Sequence, residues 1–357
     1  MQDKSALLHL TQATDLGHPR DGGAGMVRAR LGTSARWRPP FLLYGIYLVI
    51  LGMAMYLAGV LAVFPRYLTS FGGALTPTSE FLVWYSGMPL MLGFAFAMLD
   101  LLVLFERKRS GEVRYRPVHD RKVTVVLTAY NDEMSIGSAV RDFAAHPRVS
   151  RVIVVSNNST DRTFERAEAE GAIVIDELRP GYGCCVHRCL QEALAHDDAE
   201  LVVLSEGDCT FRAYDIDKLL AYAPHADIVN GTRTVEKLRQ RQTQLTTFMF
   251  YGNLFVGKLL EAKHLGRGTI TDVGTTYKLC HRDALERLLP TLDPRVNLEF
   301  NAHLLDRALG LGLVVVECPI TFHPRVGMSK GGNTHNLRAL AVGLRMMRGL
   351  TFGWGRA

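Results

Sequence analysis

Cysteine is scarce: six residues in 357, at positions 184, 185, 189, 209, 280 and 318. None forms a Cys-x-x-Cys pair and no histidine stands at finger spacing from one, so the chain is no disulfide scaffold and carries no zinc-site signature. Scattered thiols of this kind suit a reducing compartment, where they act as small buried hydrophobes. Neither sign of charge dominates: 41 Lys and Arg face 35 Asp and Glu, a net charge of +6, and no basic stripe of the sort that follows nucleic acid is present. No repeat of solenoid length occurs. With 48% hydrophobic and 21% charged residues the chain is neither disordered nor collagenous, and its length allows one large or two ordinary domains.

Charge is missing altogether from Phe41 to Phe64, and Phe81 to Phe105 carries only Asp100. About 20 apolar helical residues cross a hydrocarbon core, so both stretches are long enough to span. The first is too long and starts too far in for a cleavable leader. Trp37, Tyr67, Trp84 and Tyr85 near the ends suit an interface. Lys4, Arg20, Arg28, Arg30, Arg36 and Arg38 precede the first stretch, only Arg66 lies between the two, and Arg107, Lys108, Arg109, Arg114, Arg116, Arg121 and Lys122 follow the second. Positive flanks stay inside. The expectation is a multi-pass protein of the inner or plasma membrane, its hairpin at 37–106 and both termini and the soluble domain cytoplasmic. Asp100 reads as a snorkelling or paired residue, and an intramembrane carboxylate is also a functional candidate. Residues 1–36, with the Gly-rich DGGAG, read as flexible.

From Lys122 the pattern changes. KVTVVLTAY, RVIVVSNN, AIVIDE and ELVVLSEGD read as buried strands, separated by helical stretches at 133–146, 159–171 and 183–196. Ser159, Thr160 and Asp161 supply capping chemistry for the second helix, and Gly171 ends it. Alternating strands and helices predict an α/β domain with a mostly parallel sheet covered on both faces, and in such sheets ligands sit at the carboxyl ends of the strands. Three polar clusters fall there: Tyr130-Asn131-Asp132-Glu133, Ser156-Asn157-Asn158 and Ser205-Glu206-Gly207-Asp208. They are expected to converge.

Glu206 and Asp208, two apart after a strand, can face one hard cation, and oxygen ligands suit Mg2+ or Mn2+. A solvated acidic turn is the bland alternative. Asn131, Asp132 and Glu133 also suit a helix start, and Asn157, Asn158 and Asp161 also suit turns. Gly181-Tyr182-Gly183 precedes a helix whose N-terminus could meet a phosphate, although it lacks the glycine fingerprint and lysine of the stronger phosphate loops.

TAYNDEMSI, VVSNNSTDRT, RPGYGCC, SEGDCTF and ADIVNGTR, in this order, resemble family 2 glycosyltransferases of GT-A fold, a Rossmann-like architecture. DVGTTYKLCHRDAL, NLEFNAHLLDRA and ECPITFHPRVGMSKGG extend the similarity toward the polyprenyl-phosphate (dolichyl-phosphate-type) sugar transferases, over about residues 122–332. The resemblance implies a hexosyltransferase with a UDP- or GDP-linked sugar donor, a divalent cation and inverting transfer to a polyprenyl phosphate, with no nucleic-acid partner. It puts Tyr130, Asn131, Glu133, Asn157, Gly183 and Glu206 at the nucleotide sugar, Glu206 and Asp208 at the metal, and Arg233, Arg325, Ser329 and Lys330 at the acceptor phosphate and diphosphate. It marks Asp208, Asp272 and Arg233 as catalytic, with Asp272 a possible base. Glu206 replaces a usual Asp, Asn157 and Asn158 soften an often acidic pair, and Cys209 replaces a frequent Gly.

A lipid phosphate is already anionic at pH 7, so positioning and charge neutralisation outweigh base catalysis. The planar forks of Arg233 and Arg325 suit phosphate oxygens. The apolar stretch 246–260 reads either as an interfacial helix or as a core helix, and the tail 333–357, with Arg338, Arg345 and Arg348, as an amphipathic helix on lipid or a packed one. Other membrane-proximal acceptors, and a non-catalytic nucleotide-sugar-binding module, are the competing readings.

Overall fold

The computed structural model describes residues 39–68, 72–104, 113–265, 267–327 and 336–355. The segment expected to be flexible, 1–36, lies outside them, as do Arg107, Lys108 and Arg109.

Helices α1 (Phe41–Leu61) and α2 (Val63–Leu68) lead, followed by α3 (Thr76–Tyr85) and α4 (Gly87–Met98), which runs on through a π-helical turn at Leu99–Leu104. The second apolar stretch thus starts at Thr76 rather than Phe81, because Pro77 is tolerated in a first helical turn. Phe41–Pro65 and Thr76–Leu104 have mean hydropathies of 2.4 and 2.0, and only 11% of each is buried. They are long and apolar enough to cross a membrane, and a core helix would be mostly buried.

Gly45, Gly52 and Gly59, seven residues apart, line the contact between the two stretches. A Cβ on Gly45 would lie 2.6 Å from the Gly93 carbonyl oxygen, and one on Gly52 2.8 Å from that of Ser86. Glycine permits this close approach, as in small-residue membrane interfaces. Ser79 Oγ donates to the Gly59 carbonyl at 2.9 Å. Asp100, 4% exposed, is paired: it accepts the Leu42 amide at 2.5 Å, one of the unsatisfied N–H groups at the start of α1.

The remaining chain runs β1 (Val123–Ala129), α5 (Ile136–Ala144), β2 (Val149–Asn157), α6 (Thr163–Ala169), β3 (Ile173–Glu177), α7 (Tyr182–Leu194), β4 (Leu201–Glu206), α8 (Asp215–Tyr222), β5 (Ile228–Thr232), α9 (Thr247–Lys263), β6 (Lys278–His281), α10 (Arg282–Leu288), α11 (Phe300–Gly310), β7 (Val315–Pro319) and α12 (Asn336–Phe352). The seven strands form one sheet in the order β3-β2-β1-β4-β6-β5-β7. β6 alone runs antiparallel to its neighbours. β1 is buried along its whole length, which is why it reads as a run of apolar and β-branched residues without charge. Val126, Ile153, Val202 and Leu204 face a core shared with α7, α9, α11 and α12. Val125, Leu127, Val154 and Val203 face the opposite core with α5 and α8.

α9 splits the two readings of its sequence. Its C-terminal half buries Val256, Leu259 and Leu260, while Phe248, Tyr251 and Phe255 stay exposed toward its start. α12 packs Val342, Met346 and Leu350 into the same core as Leu43 of α1 and exposes Leu337, Leu340 and Leu344. The Thr351 hydroxyl donates to Tyr47 OH at 3.2 Å, so the first turns of α1 dock against the sheet domain.

Candidate active site

All the parallel strands end on one edge of the sheet, and the polar clusters leave from it. Three turns there hold a non-glycine residue in the left-handed region: Asn131 (φ 50°), Asn158 (φ 55°) and Cys209 (φ 64°). Asparagine tolerates this conformation, whereas Cys209 adopts it at a cost in strain of a kind that gathers at functional sites.

The turns after β1 and β2 are laced together. Asn131 Oδ1 accepts the Thr160 amide at 2.6 Å, and the Asn131 amide donates to Ser159 Oγ at 3.0 Å. The Glu133 amide donates to Asp161 Oδ2 at 3.2 Å. Asp161 Oδ1 in turn accepts the Thr163 amide that starts α6. Asn157 spans to the loop after β3: its Nδ2 donates to the Glu177 and Arg179 carbonyls, and its Oδ1 accepts the Gly181 amide at 3.0 Å. Asn131, Glu133 and Asn157 therefore tie the loops after β1, β2 and β3 together, and Tyr130 beside them is exposed.

Asp208 sits at the centre. Its Oδ1 accepts from the Thr210 amide at 3.0 Å and the Thr210 hydroxyl at 2.5 Å. Its Oδ2 is buried and receives no hydrogen bond. Arg325 Nη1 lies 3.4 Å from that oxygen, and Arg325 Nη2 donates to Asp132 Oδ1 at 2.6 Å. In the sequence Asp132 belongs to the first polar strand-end cluster and also suits a helix start, with no specific role of its own. Its backbone carbonyl does begin that turn, but its carboxylate accepts the Tyr130 amide and Arg325 instead. Burial raises the Asp132 carboxyl above its ordinary range despite Arg325. Glu206 is pushed up to about 7, first by burial and then by the Asp208 charge, and its Oε1 accepts the Thr276 hydroxyl at 2.5 Å.

Arg233, after β5, is held flat against Asp272. Its Nε and Nη2 donate to the two carboxylate oxygens at 2.7 and 2.8 Å, and the Arg233 and Gly274 amides each donate to Asp272 at 3.1 Å. Burial alone would raise Asp272, but Arg233 outweighs it and holds the carboxyl below its usual value. A buried carboxylate so engaged is a poor proton acceptor, which corrects the expectation of Asp272 as a base. Glu317 of β7 accepts from the Thr271 and Asp272 amides at 2.8 and 3.1 Å and so fixes the Asp272 loop, a role with no signal in the sequence.

A Cβ on Gly183 would lie 1.8 Å from the Val296 carbonyl oxygen, so its bare Cα admits the chain's own backbone. Ser329 and Lys330 lie outside the described residues. The structure thus brings Asp208, Glu206, Asp132 and Arg325 to one cleft, with Arg233 close enough to Glu206 to feel its charge.

Comparison with known proteins gives the same direction. The Glycosyl transferase family 2 profile matches residues 124–289. An uncharacterized glycosyltransferase of Mycobacterium tuberculosis is 33% identical over 207 residues, covering 57% of this chain and 87% of that protein. The dolichyl-phosphate hexose transferase of Haloferax volcanii is 29% identical over 209 residues, covering 58% and 86%. Among solved structures, glucosyl-3-phosphoglycerate synthase of Mycobacterium tuberculosis, in complex with Mn2+, UDP and glucosyl-3-phosphoglycerate, superposes with a TM-score of 0.48 at 20% identity, covering 67% and 83%.

Proposed function

The chain belongs to glycosyl transferase family 2, an α/β glycosyltransferase of GT-A-like fold, and we propose that it moves a hexose, with inversion, from a UDP- or GDP-linked donor to a polyprenyl phosphate at a membrane surface. The observation that carries this reading is the Asp132–Arg325–Asp208 bridge beside Glu206. Groups suited to a cation and to phosphate meet there from positions 193 residues apart.

Glu206 and Asp208 would hold a divalent cation, Mg2+ or Mn2+. The donor set fits: two hard carboxylates, crowded and desolvated, one with a buried oxygen that no hydrogen bond reaches. When bound, such a cation neutralises charge on the leaving nucleoside diphosphate.

The chain's own residues supply the rest. Arg325 and Arg233 offset repulsion between two phosphorylated substrates, and Asp272 fixes the plane of Arg233. No general base is needed, because the acceptor phosphate is already ionised. The hairpin of α1 to α4 spans the membrane with both termini and the sheet domain on the cytoplasmic side, as the basic flanks direct. The exposed Phe248, Tyr251 and Phe255 of α9 and Leu337, Leu340 and Leu344 of α12 offer an apolar approach for an isoprenoid tail. The similarity to a dolichyl-phosphate hexose transferase supports the lipid phosphate over other acceptors.

The test is an acceptor panel. Purified full chain is given labelled UDP- and GDP-sugars with polyprenyl phosphate, diacylglycerol or a free glycan, and products are identified by mass. A sugar on polyprenyl phosphate alone is expected. A sugar on diacylglycerol or glycan, with none on the lipid phosphate, would refute the acceptor.

A further inference from the structure

A buried polar chain lies behind Glu206, and none of the roles above uses it. Its far end is Lys278, which has no solvent exposure although it opens the antiparallel strand β6. Its ammonium donates to the Thr275 carbonyl and, at 3.2 Å, to Asn301 Oδ1. An ammonium has three donors and no acceptor. Asn301 must therefore turn its carbonyl to Lys278 and its amide nitrogen away.

That nitrogen lies 3.0 Å from Tyr182 OH, 3.2 Å from Thr276 Oγ1 and 3.3 Å from the Gly274 carbonyl oxygen, so its two protons are shared among three acceptors, the two hydroxyl oxygens being the nearer. Tyr182 OH and Thr276 Oγ1 are themselves 2.5 Å apart. Thr276 has one proton, and its Oγ1 is also 2.5 Å from Glu206 Oε1. If that proton pointed to Tyr182, a lone pair would face the carboxylate at contact distance. The stable arrangement sends the Tyr182 proton to Thr276 and the Thr276 proton to Glu206. With Glu206 ionised, as a cation ligand must be, every link donates in one direction, from the ammonium to the carboxylate. Thr276 and Asn301 are 1% and 3% exposed, so water does not scramble the order.

We infer that Lys278, acting through Asn301, Tyr182 and Thr276, is a positioning residue that sets the direction of this chain and pins Glu206 by one oxygen as a pure acceptor, leaving the other for an incoming ligand. This rests on the reading of Glu206 as a cation ligand. Partners behind a metal-binding carboxylate orient it, and their loss weakens metal binding by about 10- to 100-fold.

The experiment measures Mn2+ alone binding to the full chain in detergent, by the paramagnetic resonance signal of free Mn2+, with thermal midpoints recorded alongside. Thr276→Val and Lys278→Met are expected to weaken Mn2+ binding about tenfold or more with little change in midpoint. Thr276→Ser, which keeps the hydroxyl, is expected to bind as the wild type does. Unchanged affinity in Thr276→Val and Lys278→Met, while Glu206→Gln loses binding, overturns this inference alone. Equal losses in Thr276→Ser and Thr276→Val, with lowered midpoints, overturn it in favour of a packing role. Wild-type affinity in Glu206→Gln overturns the site reading beneath it.

Discussion

Arg325 Nη1 stands 3.4 Å from Asp208 Oδ2, a buried oxygen that no hydrogen bond reaches. The guanidinium also has a buried Nε without a hydrogen-bond partner, so neither group is fully satisfied by the other. Burial would lower the Arg325 pKa, but Asp208 and Asp132 outweigh it and hold the charge on. The acids of the cleft are thus offset by an internal cation, in the place where the proposed divalent ion and diphosphate would meet.

Arg325→Ala therefore separates two effects. With saturating Mn2+, transfer is expected to fall about 100-fold, the scale of losing one preorganised charge-stabilising donor. Mn2+ affinity without nucleotide is expected to hold or tighten, because a competing positive charge has gone. Turnover and Mn2+ titration on the same sample check both.

Asp272 and Arg233 form a buried bidentate pair, and removing one partner of such a pair costs about 3–5 kcal/mol. Asp272→Asn and Arg233→Lys are both expected to lower turnover and the denaturant midpoint together. A general base would behave differently: Asp272→Asn would abolish turnover at unchanged stability, while Arg233→Lys would leave most activity.

How much of this was legible in the sequence depends on what each residue's partners are. The strands read clearly because burial on both faces leaves uncharged, β-branched runs such as Val123–Ala129. The convergence of the strand ends followed from the alternation of strands and helices. Asp132 was hidden because a carboxylate in a first helical turn looks like a cap, and its partner Arg325 is 193 residues away. Lys278 was hidden because a lysine ordinarily marks a surface, and β6, four residues long, is too short to show a period. The need for glycine at 183 was not legible, because the backbone it meets, that of Val296, lies 113 residues away.

The hairpin depends on its glycines. A Cβ on Gly52 would meet Leu90 Cγ at 2.7 Å and the Ser86 carbonyl oxygen at 2.8 Å. Gly52→Leu is expected to force α1 and α4 apart at a cost of about 1–3 kcal/mol. Cysteine cross-linking between positions 41 and 96, whose rings lie 5.4 Å apart across the two helices, in a background with the native cysteines replaced, is expected to fall in the Leu variant. Gly73→Leu, where a Cβ meets nothing within 4 Å, is the control.

The α9–α11 junction carries a pH signature. Asp306 binds Lys263 Nζ at 2.9 Å, His264 Nε2 at 2.8 Å and Trp354 Nε1 at 2.7 Å. Burial would raise Asp306, but the His264 hydrogen bond and the Lys263 charge bring it down to about 2. Burial and then Arg307 bring His303, packed on Trp354, down to about 4. Both folded values lie below the unfolded ones, so the unfolded chain binds more protons and stability rises with pH, falling as the solution is acidified. The His303 contribution is complete above its unfolded value of 6.5 and is lost toward 4, and that of Asp306 goes between 3.8 and 2. Thermal midpoints are expected to drop from pH 7 to 4.5, and His303→Gln is expected to flatten that fall.

The most direct measurement is transfer of labelled sugar into the organic phase by wild type and by Asp208→Asn, each with polyprenyl phosphate and with Mn2+ or EDTA. The account predicts a lipid-linked monosaccharide from wild type with Mn2+, its suppression by EDTA, and none from a folded Asp208→Asn. Undiminished product from wild type in EDTA, or from Asp208→Asn, would contradict it.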